Sequence, residues 1–116
     1  MARTVLIVDD HADFRRLVRR MLEADGYEVV GEAEDGRSAL AASARLRPDV
    51  VLLDVQLPDL DGFEVAEGMA DRNGPAVVLT STRDAADYAR RVERSSARGF
   101  VAKSELSGDS LAALVG

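Results

Sequence analysis

Cysteine and tryptophan are absent, histidine occurs once, at His11, and lysine once, at Lys103. Without cysteine there are no disulfides and no thiolate metal sites. A single imidazole excludes a multi-histidine zinc site and a two-histidine relay. No run approaches the roughly 18 consecutive apolar residues that read as a membrane-spanning helix. The apolar start Val5-Leu6-Ile7-Val8 is too short for a signal-peptide core, and no small-residue cleavage site follows it, so the expected location is cytoplasmic.

The 116 residues are 47% hydrophobic and 31% charged, which suits one globular domain over 1–116, with no linker, repeat or low-complexity tract. Twenty-one acids against 15 bases leave a net charge of −6. That balance argues against a bare nucleic-acid or anionic-membrane binder, because phosphates would be repelled. Fourteen of the 15 bases are arginine, so the lone Lys103 stands out. The two cations are not equivalent at a tight site.

Val5–Val8 is a β-branched apolar run that stops at Asp9-Asp10, as in a strand buried on both faces of a parallel sheet. Phe14, Leu17, Val18, Met21 and Leu22 then follow helical spacing, with Gly26 as the stop. Tyr27–Ala33 reads as a second strand, and a helix through Leu40, Ala41 and Ala44 must end before Pro48. Val50–Leu53 is a third strand ending at Asp54. A loop over Val55–Asp61 leads to a helix over roughly Gly62–Asp71. Ala76–Leu79 is a fourth strand, followed by Thr80-Ser81-Thr82. Ala85, Ala89 and Val92 mark a helix, Gly99–Ala102 a fifth strand ending at Lys103, and Leu111, Leu114 and Val115 a short last helix. Five β-α repeats predict a parallel sheet with helices on both faces, joined by right-handed crossovers.

Ligands in such sheets sit outside the carboxyl ends of the strands. Those ends carry Asp9, Asp10, Asp54, Thr80, Ser81 and Lys103. Three crowded carboxylates repel, which a hard divalent cation such as Mg²⁺ (or Mn²⁺) relieves. A metal, an ammonium and a hydroxyl around a free carboxylate are what phosphoryl transfer onto Asp54 requires.

These segments resemble the receiver domain of bacterial two-component response regulators. The match runs through Val8-Asp9-Asp10, Leu53-Asp54-Val55-Gln56-Leu57-Pro58 with Asp61-Gly62, Leu79-Thr80-Ser81 and Phe100-Val101-Ala102-Lys103, and spans essentially the whole chain. It implies a flavodoxin-like (βα)5 doubly wound fold. It implies a phosphorelay role in which Asp54 takes a phosphoryl group from the phosphohistidine of a sensor histidine kinase or phosphotransfer protein. Asp9, Asp10, Asp54 and the Gln56 backbone carbonyl would hold Mg²⁺. Thr80, Ser81 and Lys103 would bind phosphoryl oxygens, and Thr80 with Phe100 would form the switch. The output would leave by the surface of the fourth helix, fifth strand and last helix, with homodimerisation on phosphorylation. The chain would assist its own phosphorylation without being a conventional enzyme. The alternative is a phosphorylation-independent binding module.

Asp10-His11, Phe14-Arg15, Gly31-Glu32-Ala33 and Asp35-Gly36 are similar to the branch that usually carries a LuxR-type helix-turn-helix, so any DNA contact is expected from another domain or chain. Gln56 and Thr82 would flank the phosphoryl group. Neither is an acid able to activate water, so a phospho-Asp54 lasting minutes is expected. His11, Asp13 and Asp59 read as exposed, Asp61 as a helix cap, and the Arg15-Arg16 and Arg19-Arg20 pairs as a solvated face. Arg83, Arg90, Arg91 and Arg94 are placed to meet acids of a second copy.

Rival chemistries fit less well. A haloacid-dehalogenase-like phosphatase needs an acid where Gln56 stands, and the chain is too short for its cap domain. An FMN binder needs a phosphate cradle where Asp9-Asp10 would repel. A P-loop motif is missing.

Overall fold

A computed structural model describes residues 2–115. Five strands form one parallel sheet: β1 (Thr4–Val8), β2 (Glu28–Ala33), β3 (Val50–Asp54), β4 (Ala76–Ser81) and β5 (Gly99–Ala102). Their order is β2-β1-β3-β4-β5. The helices are α1 (Ala12–Ala24), α2 (Gly36–Leu46), α3 (Gly62–Met69), α4 (Ala89–Arg94) and α5 (Gly108–Val115). The expected doubly wound fold is therefore present.

The central strands are buried on both faces, which explains their unbroken apolar runs. Val5, Ile7, Val50, Leu52 and Val78 face the side closed by Val18 and Leu22 of α1 and Leu111 and Val115 of α5. Leu6, Val8, Val51, Leu53, Val77 and Leu79 face the side closed by Ala39, Phe63, Val65, Ala66 and Tyr88. No helix among the described residues is long and apolar enough to cross a membrane.

Local chemistry sets the helix ends. Gly26, at φ +92°, follows α1, as its sequence position suggested. Arg47 takes a left-handed φ of 47° to stop α2 before Pro48, where a further helical residue is disfavoured. The Asp35 carboxylate accepts from the Ser38 amide (2.8 Å) to cap α2, and Asp61 accepts from Phe63 (2.7 Å) to cap α3. A Cβ on Gly62 would lie 2.5 Å from the Asp54 carbonyl oxygen, so glycine lets α3 start against the end of β3.

Three expectations are corrected, and one, the exposure of Asp59, holds with an addition. Leu17 fits the apolar spacing of α1 but is 65% exposed; the sheet covers a narrower stripe. The helix expected over Ala85–Val92 is broken into a 3₁₀ turn, Ala85–Asp87, and the six-residue α4. Arg15 and Arg19 are not a solvated face. They bond the Glu32 carboxylate at 2.9 and 2.8 Å, and Arg15 also donates to the Asp9 carbonyl at 2.6 Å. Asp59 is exposed yet engaged: it accepts from the Gly36 and Arg37 amides at 2.7 and 3.0 Å, a second cap on α2 reaching across from another loop. Those amides hold its carboxyl below the ordinary value.

Candidate functional site

Register brings the strand-end residues together. Val8 pairs with Leu53, so Asp9 emerges beside Asp54. Asp54 pairs with Thr80, Thr80 with Val101, and Lys103 follows two residues later. The sequential neighbours β1 and β2 and the partners β3, β4 and β5 diverge from the β1/β3 boundary. This is the topological switch point, where open α/β sheets bind ligands.

Lys103 closes the pocket. Its Nζ donates to Asp9 Oδ2 at 2.6 Å and to Asp54 Oδ2 at 3.0 Å. The ammonium also lies 4.2 Å from the centre of the Phe14 ring. The remaining carboxylate oxygens accept backbone amides: His11 N–H to Asp9 Oδ1 at 2.8 Å, and Gln56 N–H to Asp54 Oδ1 at 3.0 Å. Asp9 is fully buried and Asp54 nearly so.

The two acids respond differently. Burial pushes Asp54 up, and the Gln56 amide and Lys103 do not offset it. Burial pushes Asp9 up too, but Lys103 and the His11 amide outweigh it and hold Asp9 low. For Lys103 burial favours the neutral amine, yet its two carboxylates keep it protonated beyond its ordinary range. The trio is a negative pair sharing one cation.

Asp10 stands at the rim, its side chain 36% exposed, with one oxygen 3.0 Å from His11 Nδ1. Oxygen or nitrogen atoms of Asp9, Asp10, His11 and Asp54 all lie within 4.8 Å of one another. A cluster rich in hard carboxylate oxygens fits Mg²⁺ or Mn²⁺. Gln56 and Thr82 are exposed.

Two hydroxyls point elsewhere. Thr80 Oγ1 is buried and donates to the Val101 carbonyl at 2.6 Å. Ser81 Oγ sits 3.5 Å from the Tyr88 hydroxyl and accepts from the Arg83 amide at 3.1 Å, so this structure does not bring Ser81's side chain to the acids. Phe100 is half-buried, its ring 5.5 Å from that of Tyr88. Tyr88 in turn lies 6.0 Å from Phe63, and the Arg91 guanidinium caps that row, 4.1 Å above Phe63, while bonding Asp61 at 2.8 Å. Arg91 is thus engaged within its own chain. Sequence reasoning passed over Tyr88. The signal was there: Ala85, Tyr88, Ala89 and Val92 keep helical spacing.

An acid pocket at the switch point of a 2-1-3-4-5 sheet, bridged by one lysine, defines a class of α/β signalling domain. Residues 5–115 match the response regulator receiver domain family, and the chain belongs to it. It is 40% identical over 106 residues to the transcription regulator BvgA of Bordetella pertussis, covering 90% of this chain and 51% of that protein. It is 46% identical over 106 residues to a protein-glutamate methylesterase/protein-glutamine glutaminase of Anaeromyxobacter dehalogenans, covering 90% of this chain and 30% of that one. The signal receiver domain of NarL from Mycobacterium tuberculosis superposes with a TM-score of 0.84 at 33% identity, covering 99% of this chain and 98% of that one. The chain spans about half or less of the length of these curated relatives. Receiver domains are regulatory parts of two-component signalling and bind Mg²⁺ at an acidic pocket. They interact with histidine kinases or phosphotransfer proteins.

Proposed function

We propose that Asp54 accepts a phosphoryl group from a phosphohistidine, and that the domain works as the phosphorylated switch of a phosphorelay. The observation that carries this reading is Lys103 bridging the buried Asp54 and Asp9. Burial strips water from the Asp54 carboxylate and so sharpens it as a nucleophile. One of its oxygens attacks phosphorus; the P–N bond breaks, and its electron pair stays on the departing imidazole. Asp9, Asp10, Asp54 and the Gln56 carbonyl would hold a divalent cation, which would neutralise charge on the acids and the phosphoryl oxygens.

Lys103 is already within reach, so it moves from carboxylate to phosphoryl oxygen with little reorganisation. Thr80 exchanges the Val101 carbonyl for a phosphoryl oxygen. That bond sits one residue from Phe100, and its loss frees the Phe100–Tyr88 packing to rearrange toward the face of α4, β5 and α5. Neither Gln56 nor Thr82 supplies a general base, so the acyl phosphate persists for minutes. The domain acts in the cytoplasm, and DNA contact belongs to other parts of the signalling system.

Incubation with acetyl phosphate and Mg²⁺, read by intact mass, tests this. The expected result is a gain of one phosphoryl that disappears in Asp54→Asn. No gain in the native chain refutes the reading and favours a phosphorylation-independent binding module. Loss of the phosphoryl within seconds in Mg²⁺ buffer overturns the long lifetime alone.

A further inference from the structure

The only histidine of the chain stands at the pocket rim, and the receiver chemistry gives it no task. Its side chain is 70% exposed and makes no capping bond to α1, although His11 holds the N-cap position. Instead the ring turns toward the acids. Nδ1 lies 3.1 Å from Asp9 Oδ1 and 3.0 Å from Asp10 Oδ1. Metal–ligand bonds of about 2.1 Å place neighbouring ligands of an octahedron about 3.0 Å apart. The two separations therefore have the length of adjacent octahedral edges, with two carboxylate oxygens and one ring nitrogen as donors.

We propose that His11 Nδ1 is an additional metal ligand, and that it makes this pocket prefer nitrogen-seeking divalent transition ions over Mg²⁺. The inference rests on the reading of Asp9, Asp10 and Asp54 as the metal-holding acids. Mg²⁺ takes oxygen and gains little from imidazole, whereas Co²⁺ and Ni²⁺ bind it strongly. Ligation uses the Nδ1 lone pair and so takes the tautomer with its proton on Nε2. The His11 amide already fixes Asp9 Oδ1 from the backbone.

The test uses the chain without a histidine tag. MgCl₂, CoCl₂ and NiCl₂ are titrated calorimetrically, while the single imidazole is followed by NMR. The native chain is expected to bind Co²⁺ and Ni²⁺ more tightly than Mg²⁺, with Co²⁺ shifting the His11 ring signals. His11→Ala should weaken Co²⁺ and Ni²⁺ by about tenfold or more. Its Mg²⁺ affinity should stay within about twofold of native, which also reports that the variant is folded. The proposal is overturned if His11→Ala leaves Co²⁺ binding intact, or weakens all three ions alike. A different result sinks the underlying reading: Mg²⁺ that fails to bind the native chain, or binds Asp54→Asn and Asp9→Asn as well as it binds native.

Discussion

Around β1, α1 and β2 the molecule is tied by ions; around α4 it is tied by one ring. On the first side, Arg15 and Arg19 reach from α1 to Glu32 on β2, and Arg15, 16% exposed, also holds the Asp9 carbonyl. The thirteen-residue α1 buries Val18 and Leu22 besides. On the second side, the six-residue α4 has no fully buried residue, and only Val92 packs partly against the core. Among the described residues 82–99 only Tyr88 is buried. A segment with few buried apolar contacts opens at low free energy. The acids thus stand on a firm floor, next to a face held by few buried side chains. Each half of that contrast has a mutation aimed at it.

The largest effect belongs to the floor. Lys103→Met strands Asp9 and Asp54 without their cation. Loss of one partner of a buried ionic cluster costs about 3–5 kcal/mol, so the urea midpoint at pH 7 in EDTA should fall steeply. Asp54→Asn should do the opposite. Its carboxyl is raised in the folded state, so the ionised form costs stability at neutral pH, and the amide removes that cost. A midpoint that falls in Asp54→Asn would break the picture of two acids competing for one lysine.

The face of α4 comes next. Tyr88→Ala removes the ring shared by Phe63 and Phe100 and should cost about 3 kcal/mol. Amide exchange should quicken over 82–100 and stay unchanged in α1. Equal quickening in α1 would show that the two regions are one cooperative unit.

The ionic tie of the first side has a pH signature. Burial pushes Glu32 up, but Arg19 and Arg15 hold its carboxyl below the ordinary 4.5. A depressed acid contributes stability above its unfolded value, and that stability disappears as pH falls through the folded one. Glu32→Gln should therefore be less stable than native at pH 7, and the gap should close on acidification below 4.5. A gap independent of pH would mean that the arginines act by packing alone.

Much of this was legible before any coordinates. The strands are doubly buried and apolar without interruption, so their ends, and the residues Asp9, Asp54, Thr80 and Lys103 that leave them, follow from the pattern. What stayed hidden depends on distance in sequence. Asp59 caps a helix 23 positions away from its own loop. Arg15 and Arg19 look like a solvent face until β2 presents Glu32 beside them. Leu17 matches the apolar period, but periodicity does not say how wide a stripe the sheet covers. Thr80's present partner, a carbonyl on β5, comes from strand pairing and not from its motif.

Arg91 offers the smallest and most selective probe. It is half exposed, pairs with Asp61 and lies over Phe63, so it links α4 to the start of α3 across the aromatic row. An exposed pair with a cation over a ring is worth about 0.5–1 kcal/mol. Arg91→Ala should lower global stability by no more than that, because the Asp61 carboxylate keeps its bond to the Phe63 amide. Its effect on α4 should be proportionally greater, since that helix has no buried side chain of its own. Hydrogen exchange should show α4 amides opening faster, with α3 and the acid pocket unmoved. If α3 loosens to the same extent, the link is part of the floor and the boundary between the two regions lies beyond α4.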